Sequence, residues 1–172
     1  MLNLENLKVP QTGYILAQDP ANEGEWIEYH KLTRESNSIW VSLDEIPQGL
    51  VDAVVSTEDK DCYKHSGFSC SRTAYAARNE NYHFQATFGA STIDQQLVKN
   101  LTGEKEVADA DGNMEAGYKR KIREIYRASG LNNRYSKALI MEAYLNTLPL
   151  SGTIVGVQAG ARESFNKRVG AR

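Results

Sequence analysis

Apolar residues recur at helical spacing in four segments of the chain, and this pattern restricts its fold more than any other feature does. The segments are residues 41–59, 89–101, 118–130 and 136–148. In the second segment, Ile93, Leu97 and Leu101 stand four residues apart and therefore share one helix face. Helices with one apolar face must pack against each other, so the pattern predicts a mainly α fold.

Local signals predict where these helices begin and end. Ser42 with Glu45 resembles a capping box at the start of the first segment. Gly130 predicts the end of the third segment, and Pro149 predicts the end of the fourth. The residues expected to point inward are Leu50, Ala53, Val54 and Thr57, then Ile122, Ile125 and Tyr126, then Ile140, Met141, Tyr144 and Leu148.

The remaining segments predict minor elements. Residues 12–31 contain two strand-like runs around a break rich in Pro, Asn and Gly, which predicts a β-hairpin. Residues 102–118 lack periodicity and predict a long exposed loop. We expect one more helix near residues 70–79, and another after the glycine-rich turn near the end of the chain.

Composition excludes several classes of protein. The 172 residues carry a formal net charge of -2, so no overall basic field favours nucleic acid. No stretch approaches the roughly 18 uninterrupted apolar residues that a membrane-spanning helix requires. Cys62, His65 and Cys70 supply three potential zinc ligands without the second half of a closed site, so we predict no metal site there.

Two adjacent acids, Glu58 and Asp59, follow directly on an apolar helix face. A carboxylate partly removed from water is a stronger base than one in solvent, which suits Glu58 to proton transfer. Asp59 lies about 100° further round the helix, so we expect it to hold a backbone N–H or a basic partner. His65 with Gly67 is expected to brace the following turn. Taken alone, solvated acids at a helix end are the commoner explanation of such a pair.

The start of the second helical segment has the residues of an anion site. A glycine followed by Ser91 and Thr92 presents N–H groups and hydroxyls at the positive end of a helix dipole, which favours a phosphate. Lys99 lies two helical turns further on and would extend a basic lining. An ordinary N-cap is the commoner explanation of the same residues.

A basic cluster surrounds the acid Glu124. Arg120 and Glu124 are spaced i,i+4, as in a surface ion pair. Residues 119–123 nevertheless carry four basic side chains, which is more than one ion pair requires. An acid embedded among cations indicates that this helix binds a polyanion.

Taken in order, five motifs resemble those of the peptidoglycan glycosyltransferases, the transglycosylase domains of class A penicillin-binding proteins and their monofunctional relatives. The motifs are EDKDCYKHSG (58–67), GASTIDQQLVKN (89–100), RKIRE (120–124), YSKALIMEAYLN (135–146) and GVQAGARESFNK (156–167). The resemblance covers roughly residues 40–167 and implies a lysozyme-like, two-lobed helical domain. We expect this domain to occupy residues 40–172 and to be incomplete at its C-terminus, with residues 1–39 as a lead-in that contains the hairpin.

The resemblance implies an enzyme that polymerises lipid II into β-1,4-linked glycan strands, with inversion and release of undecaprenyl diphosphate. The implied partners are lipid II, the growing glycan, the cytoplasmic membrane and a transpeptidase domain of the full-length protein, but no nucleic acid. The implied place is the extracytoplasmic face of that bacterial membrane, with an anchor outside this chain. No cofactor is obligatory, although Mg²⁺ or Mn²⁺ could bind at the diphosphate. Rival functions are a non-catalytic lipid II binder and a lysozyme-like hydrolase.

The resemblance also assigns roles by motif. Glu58 matches the base that takes the proton from the acceptor 4-hydroxyl, and Glu124 matches the second acid, which orients the donor or assists departure of the diphosphate. The positions expected to bind substrate are Asp59, Ser91, Thr92, Gln95, Gln96, Lys99, Arg120 and Lys121. Asp94 stands where the second motif usually has threonine, and its charge would oppose phosphate binding at this helix start.

Overall fold

Helices make up most of the structure, a computed structural model that describes residues 2–4, 7, 12–20, 22, 24–32, 37–73, 91–103 and 114–170. The longer helices are α1 (Gln48–Glu58), α2 (Ile93–Thr102), α3 (Met114–Arg134), α4 (Lys137–Thr147) and α5 (Val157–Phe165). A 3₁₀ helix at Leu43–Glu45 precedes α1, and residues 70–73 are helical. The mainly α fold predicted from periodicity is therefore confirmed.

The strands form two small sheets. The first consists of β1 (Gly13–Gln18) and β2 (Trp26–Leu32), which make the predicted antiparallel hairpin. The second contains β3 (Asn37–Ser38), β4 (Pro149–Ser151) and β5 (Ile154–Val155), with β5 in the middle. Strand β5 runs parallel to β3 and antiparallel to β4. This second sheet joins the residues before α1 to the segment just ahead of α5.

The core lies where α2 packs against α3 and α4. Ile93 and Leu97 of α2 are fully buried, as the four-residue spacing predicts. Ile140, Met141 and Tyr144 of α4 are buried with them, also as predicted. None of the helices in the described residues is long and apolar enough to cross a membrane.

The first helical segment divides into two elements. The Glu45 carboxylate accepts a 2.8 Å hydrogen bond from the Ser42 hydroxyl. The predicted capping box therefore caps the N-terminus of the 3₁₀ helix and not that of α1. Helix α1 begins at Gln48 and ends at Glu58, one residue before the end of the predicted segment. Its buried residue is Val51, whereas Ala53 and Thr57, expected to point inward, are exposed.

Helix α3 is longer than predicted at both ends. It begins at Met114, inside the segment expected to be a loop, although residues 104–113 lie outside the described part of the chain. It also continues through Gly130 to Arg134. A glycine inside a helix costs only about 1 kcal/mol relative to alanine, which packing against α2 can offset.

The inward face of α3 was also predicted wrongly. Ile122 and Tyr126, expected to be buried, are 65% and 80% exposed. The buried residues are instead Glu124, Ala128 and Leu131, which follow one another at helical spacing. Hydropathy ranks a glutamate as outward-facing, so an apolar pattern cannot identify a face on which a paired carboxylate is buried.

Candidate active site

Glu58 is held at the end of α1 by bonds that reach two other helices. It lies seven residues after the buried Val51 and therefore on the same helix face, and it is half-buried. Gln96 Nε2 in α2 donates a 2.8 Å hydrogen bond to Glu58 Oε2. Tyr144 Oη in α4 donates a 2.9 Å bond to Gln96 Oε1. The position of this carboxylate is thus set by α1, α2 and α4 together.

The phenol of Tyr144 belongs to the interior, since the residue is only 1% exposed. Burial, with a smaller effect of the negative charge of Glu58, raises the pKa of Tyr144 well above its usual range. The phenol therefore keeps its proton in neutral and moderately alkaline solution. It remains a hydrogen-bond donor to Gln96 over that range.

Asp59, the neighbour of Glu58, is fully buried and surrounded by donors. Its Oδ1 accepts a 2.8 Å bond from Arg72 Nη1, and its Oδ2 lies 2.8 Å from His65 Nε2 and accepts a 3.1 Å bond from Ile93 N. Arg72 Nη2 also donates to the Glu58 carbonyl oxygen at 2.9 Å. Asp59 therefore holds both a basic partner and a backbone N–H, as expected, and fixes the end of α1.

The turn after Asp59 is braced by His65. Gly67 N donates to His65 Nδ1 at 3.2 Å, which leaves the imidazole proton on Nε2, facing Asp59. Gly67 has a φ of +93°, and a Cβ at this residue would lie 2.5 Å from the carbonyl oxygen of Ala128. The turn thus lies directly against α3, and the bracing role predicted for His65 is confirmed.

The first turn of α2 is closed by its own residues. Thr92 Oγ1 accepts from Gln95 N at 3.3 Å and donates to the Gly67 carbonyl oxygen at 2.7 Å. Gln95 Oε1 accepts from Thr92 N at 2.9 Å, and both side chains are fully buried. Since Ile93 N bonds to Asp59, the negative charge at this helix start is the carboxylate of Asp59.

Glu124 lies in a cluster that joins α3 to Ser91, which precedes the N-cap of α2. Lys121 Nζ donates 2.8 Å bonds to both Glu124 Oε1 and Ser91 Oγ. Arg120 Nη1 lies 3.8 Å from Glu124 Oε2. Glu124 is 6% exposed, and a carboxylate so buried needs a cation beside it to remain charged.

The two sides of α2 differ in their exposure to solvent. The open side consists of Ser91, Gln96 and Lys99, of which Lys99 is exposed and the other two are partly exposed. The buried side consists of Ile93, Asp94, Gln95, Leu97 and Val98. Gln96 bonds to Glu58, and Ser91, which lies two residues before α2, bonds to Lys121, which in turn bonds to Glu124. Both predicted catalytic acids are therefore connected to the same helix.

Asp94 does not oppose phosphate binding in the way the sequence suggested. Its carboxylate is fully buried, with Lys137 Nζ of α4 2.9 Å from Oδ2 and Asn132 Nδ2 of α3 donating to Oδ1 at 2.8 Å. The charge is compensated on the buried side of α2. Asp94 therefore joins α2 to α3 and α4.

One group of described residues could in principle ligate a metal. Ligand atoms of Asp59, Cys62 and Asp94 all lie within 4.8 Å of one another. Both carboxylates, however, already face cations of the protein. Burial raises the pKa of the Cys62 thiol to about 12, and the two carboxylates act in the same direction, whereas Lys137 acts against them. A thiol binds metal as the thiolate, so an ion at this group would have to displace the proton of Cys62.

A large cavity lies away from these groups. Its volume is about 870 Å³, and it is lined by residues at the end of α2 and in the C-terminal half of α3, including Thr102, Tyr126 and Leu131. None of the site residues predicted from the sequence lines it. The candidate site is therefore the open side of α2, where acids and cations meet.

Sequence reasoning missed two residues that hold this site. Tyr144 was predicted only as a core residue, although a buried phenol needs a hydrogen-bond partner and could have indicated a polar role. Arg72, which binds both Asp59 and the Glu58 carbonyl, lies in a segment predicted only as a helix. Its pairing across 13 residues has no local signal in the sequence.

Comparison with known proteins agrees with the motifs. The model of a family described as Transglycosylase matches residues 24–171. Penicillin-binding protein 1A of Clostridium novyi (strain NT) is 39% identical over 150 residues, which is 84% of this chain and 17% of that protein. Penicillin-binding protein 2D of Bacillus subtilis (strain 168) is 33% identical over 162 residues, or 94% of this chain and 21% of that protein. The chain thus spans about a fifth of the length of these relatives.

The fold and these matches together define the class of domain to which the chain belongs. The family match covers all the described helices and every described strand except β1. The chain belongs to the Transglycosylase family. The match agrees with the resemblance of the five motifs to the transglycosylase domains of class A penicillin-binding proteins.

Proposed function

We propose that this chain polymerises lipid II into β-1,4-linked glycan, with Glu58 as the general base. The observation that carries the proposal is that the half-buried Glu58 carboxylate is held through one oxygen by a neutral amide, that of Gln96. A neutral donor orients a carboxylate without cancelling its charge, as a cation at the same place would. Among the described residues no donor bonds the other oxygen, Oε1, which is left for a substrate hydroxyl.

The proposed reaction is a single displacement. Glu58 takes the proton from the 4-hydroxyl of the incoming lipid II sugar while that oxygen attacks the anomeric carbon of the growing chain. The new glycosidic bond forms as the bond to the diphosphate breaks, and undecaprenyl diphosphate leaves with the electron pair. One base on the acceptor side and a stabilised leaving group opposite it are sufficient for inversion.

Cations on and near the open side of α2 would stabilise the leaving group. Lys99 and Arg120 are proposed to offset the charge that develops on the diphosphate, together with Lys121. Glu124 would orient Lys121, because the ammonium group bonds to Glu124 and Ser91 at once. Each step therefore uses groups of the chain, and none is routed through Mg²⁺ or Mn²⁺.

Three residues expected to contact substrate are proposed to act by positioning instead. The side chains of Asp59, Thr92 and Gln95 are fully buried, and their oxygens bond to the start of α2 or to the turn that follows α1. A buried group cannot touch a diphosphate that binds from solvent. Their proposed role is to set the start of α2 against the end of α1.

The proposed setting follows from the relatives. Those named penicillin-binding proteins are roughly five times longer than this chain, so a transpeptidase domain and a membrane anchor are proposed for the longer protein. Lipid II would then be met at the extracytoplasmic face of the cytoplasmic membrane. A non-catalytic lipid II binder is the rival proposal; a charge on Asp94 that repels phosphate would favour it, but Asp94 is buried and paired with Lys137.

The decisive experiment is a lipid II turnover assay on this chain and on a version extended through its natural C-terminus. Glycan polymer is expected as product, and Glu58→Gln should abolish it. Tight binding of lipid II without turnover by the extended version would instead support the non-catalytic binder. Release of soluble sugars from purified cell wall would support a hydrolase.

A further inference from the structure

We propose that Tyr144 and Gln96 form an orienting chain that decides which oxygen of Glu58 is presented to the acceptor hydroxyl. The inference rests on the proposed function, since it takes Glu58 as the base. It makes Gln96 a positioning residue, whereas the motif resemblance implied that Gln96 contacts substrate. It also gives a role to Tyr144, which the sequence suggested only as a part of the core.

The polarity of the chain follows from its two ends. A carboxylate can only accept hydrogen bonds, so the Gln96 amide must turn its NH₂ group toward Glu58. The amide oxygen then points at Tyr144 Oη, 2.9 Å away, and can only accept from the phenol. A flipped amide would place its oxygen against the carboxylate. Each bond therefore fixes the direction of the next.

Packing makes this chain rigid. Tyr144 is almost completely buried in α4, and Gln96 follows directly on the buried first turn of α2. Burial and the charge of Glu58 also keep the phenol protonated, as its raised pKa indicates. A carboxylate held at one oxygen by a fixed donor has lost most of its freedom to rotate, and correct orientation is what an acceptor hydroxyl requires of a base.

Other groups near Glu58 act on its backbone or away from its carboxylate. Arg72 bonds to the Glu58 carbonyl oxygen and pairs with Asp59, so its charge is largely taken up by that acid. The charge of Glu58 is felt at Tyr144 across α2. Among the described residues, the Gln96 amide is the group that bonds the Glu58 carboxylate itself.

The first test is a double-mutant cycle, in which lipid II turnover is measured on the extended chain. Gln96→Met should lower kcat about tenfold, the cost of losing one hydrogen bond to a charged group, while KM for lipid II changes little. Tyr144→Phe loses a bond between neutral groups and should lower kcat by less. Because Tyr144 acts only through Gln96, the double variant should be no slower than Gln96→Met alone. The matched controls Tyr135→Phe and Gln158→Met remove buried polar groups elsewhere and should leave kcat unchanged.

Several results would overturn the inference. Multiplied effects in the double variant would mean that Tyr144 acts independently of Gln96. A rise in KM at unchanged kcat for Gln96→Met would mean that Gln96 binds substrate directly. Equal losses of kcat in the two control variants would reduce the effect of Tyr144→Phe to general loss of packing.

A second test needs no turnover, so it separates this inference from the proposed function. The NMR signal of the Glu58 carboxyl carbon, recorded at one neutral pH, reports the hydrogen bonding of this carboxylate. It should move in Gln96→Met, because the carboxylate has lost its donor, and should move in the same direction by less in Tyr144→Phe. An unmoved signal in both variants would refute the orienting chain, whereas an inactive wild type with moved signals would refute only the proposed function.

Discussion

Acidic residues meet both sides of α2, but their charges are compensated differently on the two sides. On the buried side, Asp94 is paired with Lys137. The carboxylate of Asp59 pairs with Arg72 and accepts a hydrogen bond from the first N–H of α2. On the open side, Glu58 meets a neutral amide and Lys99 extends into solvent. Neighbouring residues of one motif therefore differ in burial and in the kind of partner they bind.

The difference lies in how charge is compensated. A buried carboxylate without a cation is strongly unfavourable, so every acid on the buried side must be neutralised within the protein. A half-buried carboxylate can keep its charge by partial hydration and a single neutral donor. The buried side thus holds α1 to α4 together, whereas the open side keeps its charge available for a substrate. This comparison predicts large effects on activity from one side and on stability from the other.

The largest effect is expected from Glu58→Gln on the open side. The amide has nearly the same shape but cannot accept a proton from the acceptor hydroxyl, so polymerisation should fall by about a thousandfold or more. The circular dichroism spectrum and the melting temperature should stay close to those of the wild type, since a neutral amide is what holds this position. Full polymerisation by Glu58→Gln would remove Glu58 from the mechanism.

The next largest effect is expected from Asp59→Asn on the buried side. The substitution removes the buried carboxylate that pairs with Arg72, and because Arg72 is partly exposed the free energy of unfolding should fall by about 3 kcal/mol, the lower end for a broken buried ion pair. Urea denaturation measures this loss. The matched control is Asp61→Asn, because Asp61 pairs with Lys64 on an exposed turn and should leave the urea midpoint unchanged. Equal midpoints for the two variants would break the distinction between the sides.

Sequence reasoning found the fold and the motifs but not this division. Periodicity predicted α2 and α4 because their buried residues are apolar, and it failed on α3 because Glu124 occupies an inward position. The motif resemblance selected Asp59, Thr92 and Gln95 together with Ser91 and Lys99, since a motif records residue types and not exposure. The contacts of Arg72 with Asp59 and of Lys137 with Asp94 join separate elements, so no local pattern could have predicted them.

A smaller effect is expected from Lys121→Met, because Lys121 connects α3 to the open side of α2 through Ser91. Loss of the ammonium group removes a cation from the proposed diphosphate site and leaves Glu124 with the more distant Arg120. We expect kcat/KM for lipid II to fall by about ten- to a hundredfold. The exposed Lys167→Met is the matched control and should retain full turnover. Unchanged turnover in Lys121→Met would place the diphosphate elsewhere on the open side.

The smallest effect concerns Cys62, which lies beside the two acids of the buried side. Its pKa is raised from 9.0 to about 12 by burial, so above pH 9 the unfolded chain loses a proton that the native protein keeps. This contribution to stability is complete below pH 9 and is lost as the pH rises toward 12, with about 1 kcal/mol lost between pH 8 and 10. Urea denaturation should show this decline in the wild type and in Cys70→Ala, because Cys70 is exposed, but a flatter dependence in Cys62→Ala. Identical slopes in all three proteins would mean that the buried side admits enough water to solvate a thiolate, and the contrast between the two sides of α2 would then be weaker than the distances indicate.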